Sequence, residues 1–201
     1  MRRALTLLVA AVLLAGCSET TTGSPSPDRA DPTSAGPTST TSAPSSSPAT
    51  SKAKAVRPKT IDIGDVDPCS LLTDAQRAQV GLNRPPAKSV NDGTGWPNCV
   101  TSREDRLWVL NVALSPSTGV EYYTDGHLPA NVENVQVGGF PAVRVSAKSK
   151  GTTNNCTVAV DVSDHQLVDV KVSSFGETSQ EKTCELAPQI AELVIATLAS
   201  R

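Results

Sequence analysis

Aromatic and imidazole side chains are scarce in this chain. Its 201 residues include six aromatics (Trp96, Trp108, Tyr122, Tyr123, Phe140 and Phe175) and two histidines, His127 and His165. So few rings leave little with which to build a base-stacking or sugar-stacking platform. A basic surplus is missing too. From Thr60 to Arg201 there are 11 Lys and Arg against 17 Asp and Glu, a net charge of −6. That opposes nucleic-acid binding, which needs a basic face to neutralise phosphates. No Cys-x-x-Cys pair or cysteine-flanking histidine supports a zinc site. Gly138-Gly139 lacks the following helix that a dinucleotide or phosphate loop requires. No cofactor and no metal is expected.

An apolar run long enough to span a bilayer, about 20 residues, is also absent. What stands at the N-terminus is shorter. Met1-Arg2-Arg3 supplies a positive start, Ala4 to Ala15 an apolar stretch of signal-peptide length, and Leu14-Ala15-Gly16-Cys17 ends it. The last four residues are similar to a bacterial lipobox. Ala15 and Gly16 are small enough for a peptidase pocket, and the Cys17 thiol can accept a diacylglyceryl group. Residues 1–16 are therefore expected to be a lipoprotein signal peptide. Cys17 becomes the lipidated first residue, holding the protein on the extracytoplasmic face of the cell membrane. Each buried acyl methylene contributes about 0.8 kcal/mol, and stable anchoring takes more than one chain.

From Cys17 to Lys59 the chain is almost wholly Ser, Thr, Pro, Ala and Gly, with no aromatic residue. Such a segment buries too little apolar surface to offset its ordering entropy. It reads as a linker, mucin-like in composition and open to O-glycosylation. Lys52, Lys54, Arg57 and Lys59 end it with a basic cluster, read as a solvated linker end.

Residues 60–201 suffice for one domain with a proper core. Four cysteines lie there: Cys69, Cys99, Cys156 and Cys184. An even number of thiols in an exported domain implies two disulfides. Three pairings are open. Cys69–Cys99 with Cys156–Cys184 is favoured, because each then closes a loop of about 30 residues, adding about 3–4 kcal/mol on the chain-entropy model.

Periodicity suggests a mixed domain. Thr73 and Gln76 form a capping box for a short helix that Gly81 stops. Asp92-Gly93 and Thr94-Gly95 mark a turn. Leu107 to Leu114 reads as a strand with Trp108, Leu110, Val112 and Leu114 on one face. Tyr122 and Tyr123 fall in a loop or short helix. Val135–Val137 and Ala142–Ser146 flank Gly138-Gly139 as a hairpin, with Phe140 packed inward. Thr157–Val162 and Leu167–Ser173 alternate across a turn at Ser163–Gln166. Thr178 and Glu181 suggest a second capping box, opening a long helix with a stripe of Leu186, Ile190, Leu193, Val194, Thr197 and Leu198. Pro188 should loosen or kink its first turns. The fold class expected is α+β: an antiparallel sheet with N- and C-terminal helices packed on one face.

Asp67-Pro68-Cys69-Ser70-Leu71-Leu72-Thr73, Cys99, Val137-Gly138-Gly139-Phe140-Pro141-Ala142, Cys156 with its valine strand, and Cys184 before an Ala/Leu helix together resemble the DUF3558 lipoproteins. These are exported, largely uncharacterised proteins of high-GC Gram-positive bacteria. The layout is also similar to the disulfide-stapled extracellular sensor domains of some receptor kinases, an analogy of architecture alone.

No catalytic constellation assembles in the sequence. Ser163-Asp164-His165 are consecutive at a turn and cannot converge as nucleophile, base and orienter. His127 sits beside Asp125 and Gly126 in a polar loop. Glu104 and Asp105, between Arg103 and Arg106, read as a charged turn, and Asp161 should point to the wetter face of the sheet. Thiol chemistry needs a free thiolate, which two disulfides would remove. The expectation is a monomeric, non-enzymatic, membrane-anchored domain that binds an envelope ligand or protein. Two alternatives stand beside it: a wall-modifying hydrolase using Asp161, Asp169 or His127, and an accessory sensor module of a receptor kinase.

Overall fold

The computed structural model describes residues 56–147 and 153–201. The signal run, Cys17 and most of the linker lie outside these residues. The chain divides into Met1–Thr50 and Ser51–Arg201, and every described residue belongs to the second unit.

Among the described residues, seven strands form one sheet: β1 (Ala87–Val90), β2 (Pro97–Ser102), β3 (Trp108–Ser115), β4 (Ala130–Val137), β5 (Phe140–Ala147), β6 (Thr153–Ser163) and β7 (Gln166–Phe175). Among the same residues, three α-helices accompany it: α1 (Asp74–Gln79), α2 (Glu121–Thr124) and α3 (Gln180–Ala199). The strand order is β1-β2-β3-β7-β6-β5-β4, and every pairing is antiparallel. This is the α+β architecture expected. Most sequence neighbours pair directly. The exception is the connection from β3, inside the sheet, to β4 at its edge. Pro116–Pro129 must pass β7, β6 and β5, so it runs across one face.

The opposite face carries the main core. Leu110, Val112 and Leu114 of β3, Val158, Val160 and Val162 of β6, and Val168, Val170 and Val172 of β7 pack against α3. Each such side chain contributes about 1.5–3 kcal/mol when fully buried. The helix meets the sheet through Thr183, Ala187, Ile190, Ala191, Val194, Ile195 and Leu198. The stripe predicted from sequence is therefore rotated: Leu186 and Leu193 are only half-buried flankers. Two alanines at the centre let the helix axis approach the sheet closely, which a ranking by hydrophobicity alone overlooks. One further correction concerns this helix: its N-cap is Ser179, whose hydroxyl accepts from the Lys182 amide, in place of the Thr178–Glu181 box. The helix runs on through Pro188.

Both disulfides pair as favoured. Cys69–Cys99 ties the 3-10 turn Pro68–Ser70 to β2, and Cys156–Cys184 ties the first half of α3 to β6. The Thr73–Gln76 capping box is present at α1. Gly138 and Gly139, with φ of 56° and 81°, make the β4–β5 turn, and Phe140 behind them is buried in the core. A Cβ on Gly138 would lie 3.0 Å from Ile195 Cγ2, so the turn sits directly against α3.

The linker end is not solvated throughout. The Arg57 guanidinium pairs with Asp161 and with Asp164, both at 2.9 Å, and its charged form is favoured there. Burial opposes that charge, but the two carboxylates outweigh it. The Ile61 amide then donates to the Val162 carbonyl at 2.9 Å. Lys59 Nζ reaches the Ala199 carbonyl at 2.5 Å.

Candidate functional site

The crossover Pro116–Pro129 leaves a recess between itself, the β1–β2 turn and the sheet. Alternation along the strands decides what faces it. On β7, Leu167, Asp169, Lys171 and Ser173 point away from the core, opposite Val168, Val170 and Val172. Asp169 lies between Ala113 of β3 and Ala159 of β6 in the register. Those two small side chains leave room above the carboxyl for a ring from the crossover. Tyr123, presented by the single turn of α2, fills part of that room, and its hydroxyl donates to Asp169 Oδ2.

The result is a cavity of ≈ 320 Å³. Its walls include Trp96 from the β1–β2 turn, Tyr122 and Tyr123 from α2, and Leu128 and Pro129 from the end of the crossover. Its floor is Asn155, Thr157, Asp169 and Lys171 on β6 and β7. The rings brace one another edge-on: Trp96 and Tyr122 have centroids 5.2 Å apart, Tyr122 and Tyr123 5.0 Å. Asp169 is only 5% exposed, and burial raises its pKa to about 6 against the lowering effects of the Tyr123 hydrogen bond and the Lys171 charge. Burial, with the Asp169 charge beside it, pushes the Tyr123 phenol far above its ordinary range.

The hydrogen-bonding capacity of the floor is only partly used. The Asn155 Oδ1 accepts from Ser173 at 2.7 Å, leaving its amide hydrogens for the recess. Asn91 spends its Oδ1 on the Gly93 and Thr94 amides and keeps its NH₂ group. Of the two Asp169 oxygens, Tyr123 occupies Oδ2.

A larger depression of ≈ 840 Å³ lies at the start of α3, bordered by Leu107, Trp108, Phe175 and Leu186. Its polar border, Arg103, Glu177, Lys182 and Glu185, is exposed, so no buried polar group converges there. The smaller recess is the chemically equipped one.

Of the residues considered for hydrolytic chemistry, the structure brings only Asp169 into the recess. Asp161 does face the same side of the sheet, but it is 9% exposed and paired with Arg57. The wetter face expected there is covered by the linker end. His127 is exposed and bonded to Asp125, with its ring 5.2 Å from Tyr122 on the outer side of the aromatic cluster. His165 lies at the β6–β7 turn, 3.5 Å from Glu121. Among the described residues, no three His, Cys, Asp or Glu side chains gather as metal ligands would. The aromatic wall was missed in the sequence because Trp96 and the Tyr pair are 26 residues apart at the nearest. Half of the chain's few rings converge at one place, which their spacing in the sequence does not display.

The sequence matches the family described as "Protein of unknown function (DUF3558)" over residues 12–197. The chain belongs to the DUF3558 family. The match takes in nearly the whole of this DUF3558 domain, both disulfides and the recess, and it also includes Cys17. No curated protein and no solved structure matches. The two disulfides point to an extracytoplasmic domain, since such bonds persist in oxidising compartments. Among the described residues, no helix of this DUF3558 member is long and apolar enough to cross a membrane.

Proposed function

We propose that this DUF3558 member is a lipid-anchored, extracytoplasmic binding domain that holds a small ligand in the recess beneath the β3–β4 crossover. The single observation behind the reading is the recess itself. An apolar, aromatic wall faces a few convergent polar groups, one of them a nearly buried carboxyl, which is the usual make-up of a small-ligand pocket. Anchoring rests on the Leu14–Cys17 signal, which falls within the family match.

Binding is favoured over cleavage by the arrangement of acids. Glycoside hydrolysis uses a pair of carboxyl groups facing each other across the bond, and Asp169 is the single carboxylate among the residues lining the recess.

Two measurements test the proposal. Radiolabelled palmitate should enter the wild-type protein in an actinobacterial host and not a Cys17→Ala variant, which should leave the membrane fraction. Native mass spectrometry of the detergent-solubilised full chain should reveal a retained small molecule that Lys171→Met weakens. Equal labelling of the Cys17 variant would overturn the anchor, and a ligand indifferent to Lys171 would overturn the site.

A further inference from the structure

We infer that the occupant of the recess is a neutral sugar ring, a pyranose carrying hydroxyl or acetamido groups, lying against the Tyr122–Tyr123–Trp96 wall with its polar edge on Asp169, Lys171, Asn155 and Thr157. This inference rests on the recess being the binding site.

The unused polar capacity selects the ligand. Among the described residues, Lys171 Nζ, Asn155 Nδ2 and Asn91 Nδ2 are donors without an acceptor. Asp169 Oδ1 is an acceptor, and Thr157 Oγ1 serves either way. Both senses of hydrogen bond are thus offered within one small floor. A hydroxyl group donates and accepts, so a ring bearing several of them uses the whole set. A quaternary ammonium would suit an aromatic cage, but the Lys171 charge would repel it. An anionic ligand would meet the Asp169 carboxylate. An acyl chain would leave every one of these groups buried and unpaired, at about 1–3 kcal/mol each.

Shape agrees with chemistry. Tyr122 and Tyr123 are half-buried, so part of each ring body is open to contact, and such rings present an apolar surface with a polar tip. The C–H face of a pyranose is the complementary surface. A volume of ≈ 320 Å³ is at the small end for ligand pockets, about 300–1,000 Å³, which fits one ring better than an extended chain.

The test is calorimetric titration at pH 7 of the full chain in a polyoxyethylene detergent, chosen because it carries no sugar. The probes are methyl glucoside, methyl mannoside, methyl N-acetylglucosaminide, choline and glucuronate. At least one of the three neutral pyranosides should saturate, with binding weakened tenfold or more by Lys171→Met and by Asn155→Ala. Trp96 emission should shift in parallel, whereas Trp108, on the other face, should not contribute. Retained disulfides and an unchanged thermal transition certify each variant, and either one alone decides. Saturation by choline or glucuronate without any neutral ring would overturn the sugar assignment and leave the recess as a binding site. Pyranoside binding unmoved by both substitutions would place the ring elsewhere and overturn the inference. No saturation by any probe would overturn it, while a retained ligand in the mass-spectrometric experiment would still support the recess.

Discussion

The Tyr123 hydroxyl donates to Oδ2 of Asp169, joining two residues 46 apart in the chain across the outer face of the sheet. Asp169 belongs to the framework and Tyr123 to the crossover that covers it, so this bond fixes the cover to the floor.

Removing that donor should be costly. Tyr123→Phe keeps the ring and its packing but leaves a buried carboxyl without its hydrogen bond. The expected loss is about 1–3 kcal/mol at pH 7, measured by urea unfolding. A loss below about 0.5 kcal/mol would show that the crossover is held by packing alone.

The carboxyl itself should destabilise the domain near neutrality. Its pKa of about 6 in the fold lies above the ordinary carboxylate value of about 3.9. Between those two values the folded state binds more protons than the unfolded one, so stability falls as pH rises through that window. Asp169→Asn abolishes this dependence while still accepting from Tyr123. It should match wild type below about pH 4 and exceed it above pH 6, by up to about 3 kcal/mol. A stability difference between Asp169→Asn and wild type that does not grow between pH 4 and 6 would contradict the burial of a titrating carboxyl there.

Arg57 should prove to be part of the folded domain. Arg57→Met removes the partner of Asp161, which is too buried to be hydrated freely. A cost of about 1–3 kcal/mol is expected, and adding Asp161→Asn should recover part of it. A fragment beginning at Thr60 should show the same deficit relative to one beginning at Ser51. Equal melting temperatures for the two fragments would refute the role.

Glycine at position 138 should be irreplaceable at modest cost. Gly138→Ala puts a side chain on a positive-φ residue and drives it against Ile195. About 1–3 kcal/mol should be lost, and trimming the obstacle with Ile195→Val should return a fraction of that. Additive losses in the double variant would show that the contact is not the cause.

Much of this fold was legible in the chain because it is built from local signals. The valine alternation of β6 and β7, the Thr73–Gln76 box, the Gly138-Gly139 turn and the two short-range disulfides each lie within about 30 residues. The edge strand β1 was not legible: Ala87–Val90 is exposed along its whole length, so no alternation marks it. The recess was only partly legible. Asp169 could be named as a candidate acid, but its burial depends on Ala113, Ala159 and Tyr123, brought together by strand order and by a crossover whose path the sequence does not display. Arg57 failed for the same reason: among linker lysines it resembles a solvated cation until Asp161 is placed beside it.

The tie between the segment after residue 56 and β6 has a mechanical consequence. A pull on the N-terminal end enters the domain beside an interior strand, one bonded to β5 on one side and β7 on the other. Beyond the Arg57 pairs and the Ile61–Val162 bond the covalent path runs on to Cys69, whose disulfide hands the load to β2. A domain suspended by its N-terminus would thus yield first at the Arg57 ion pair.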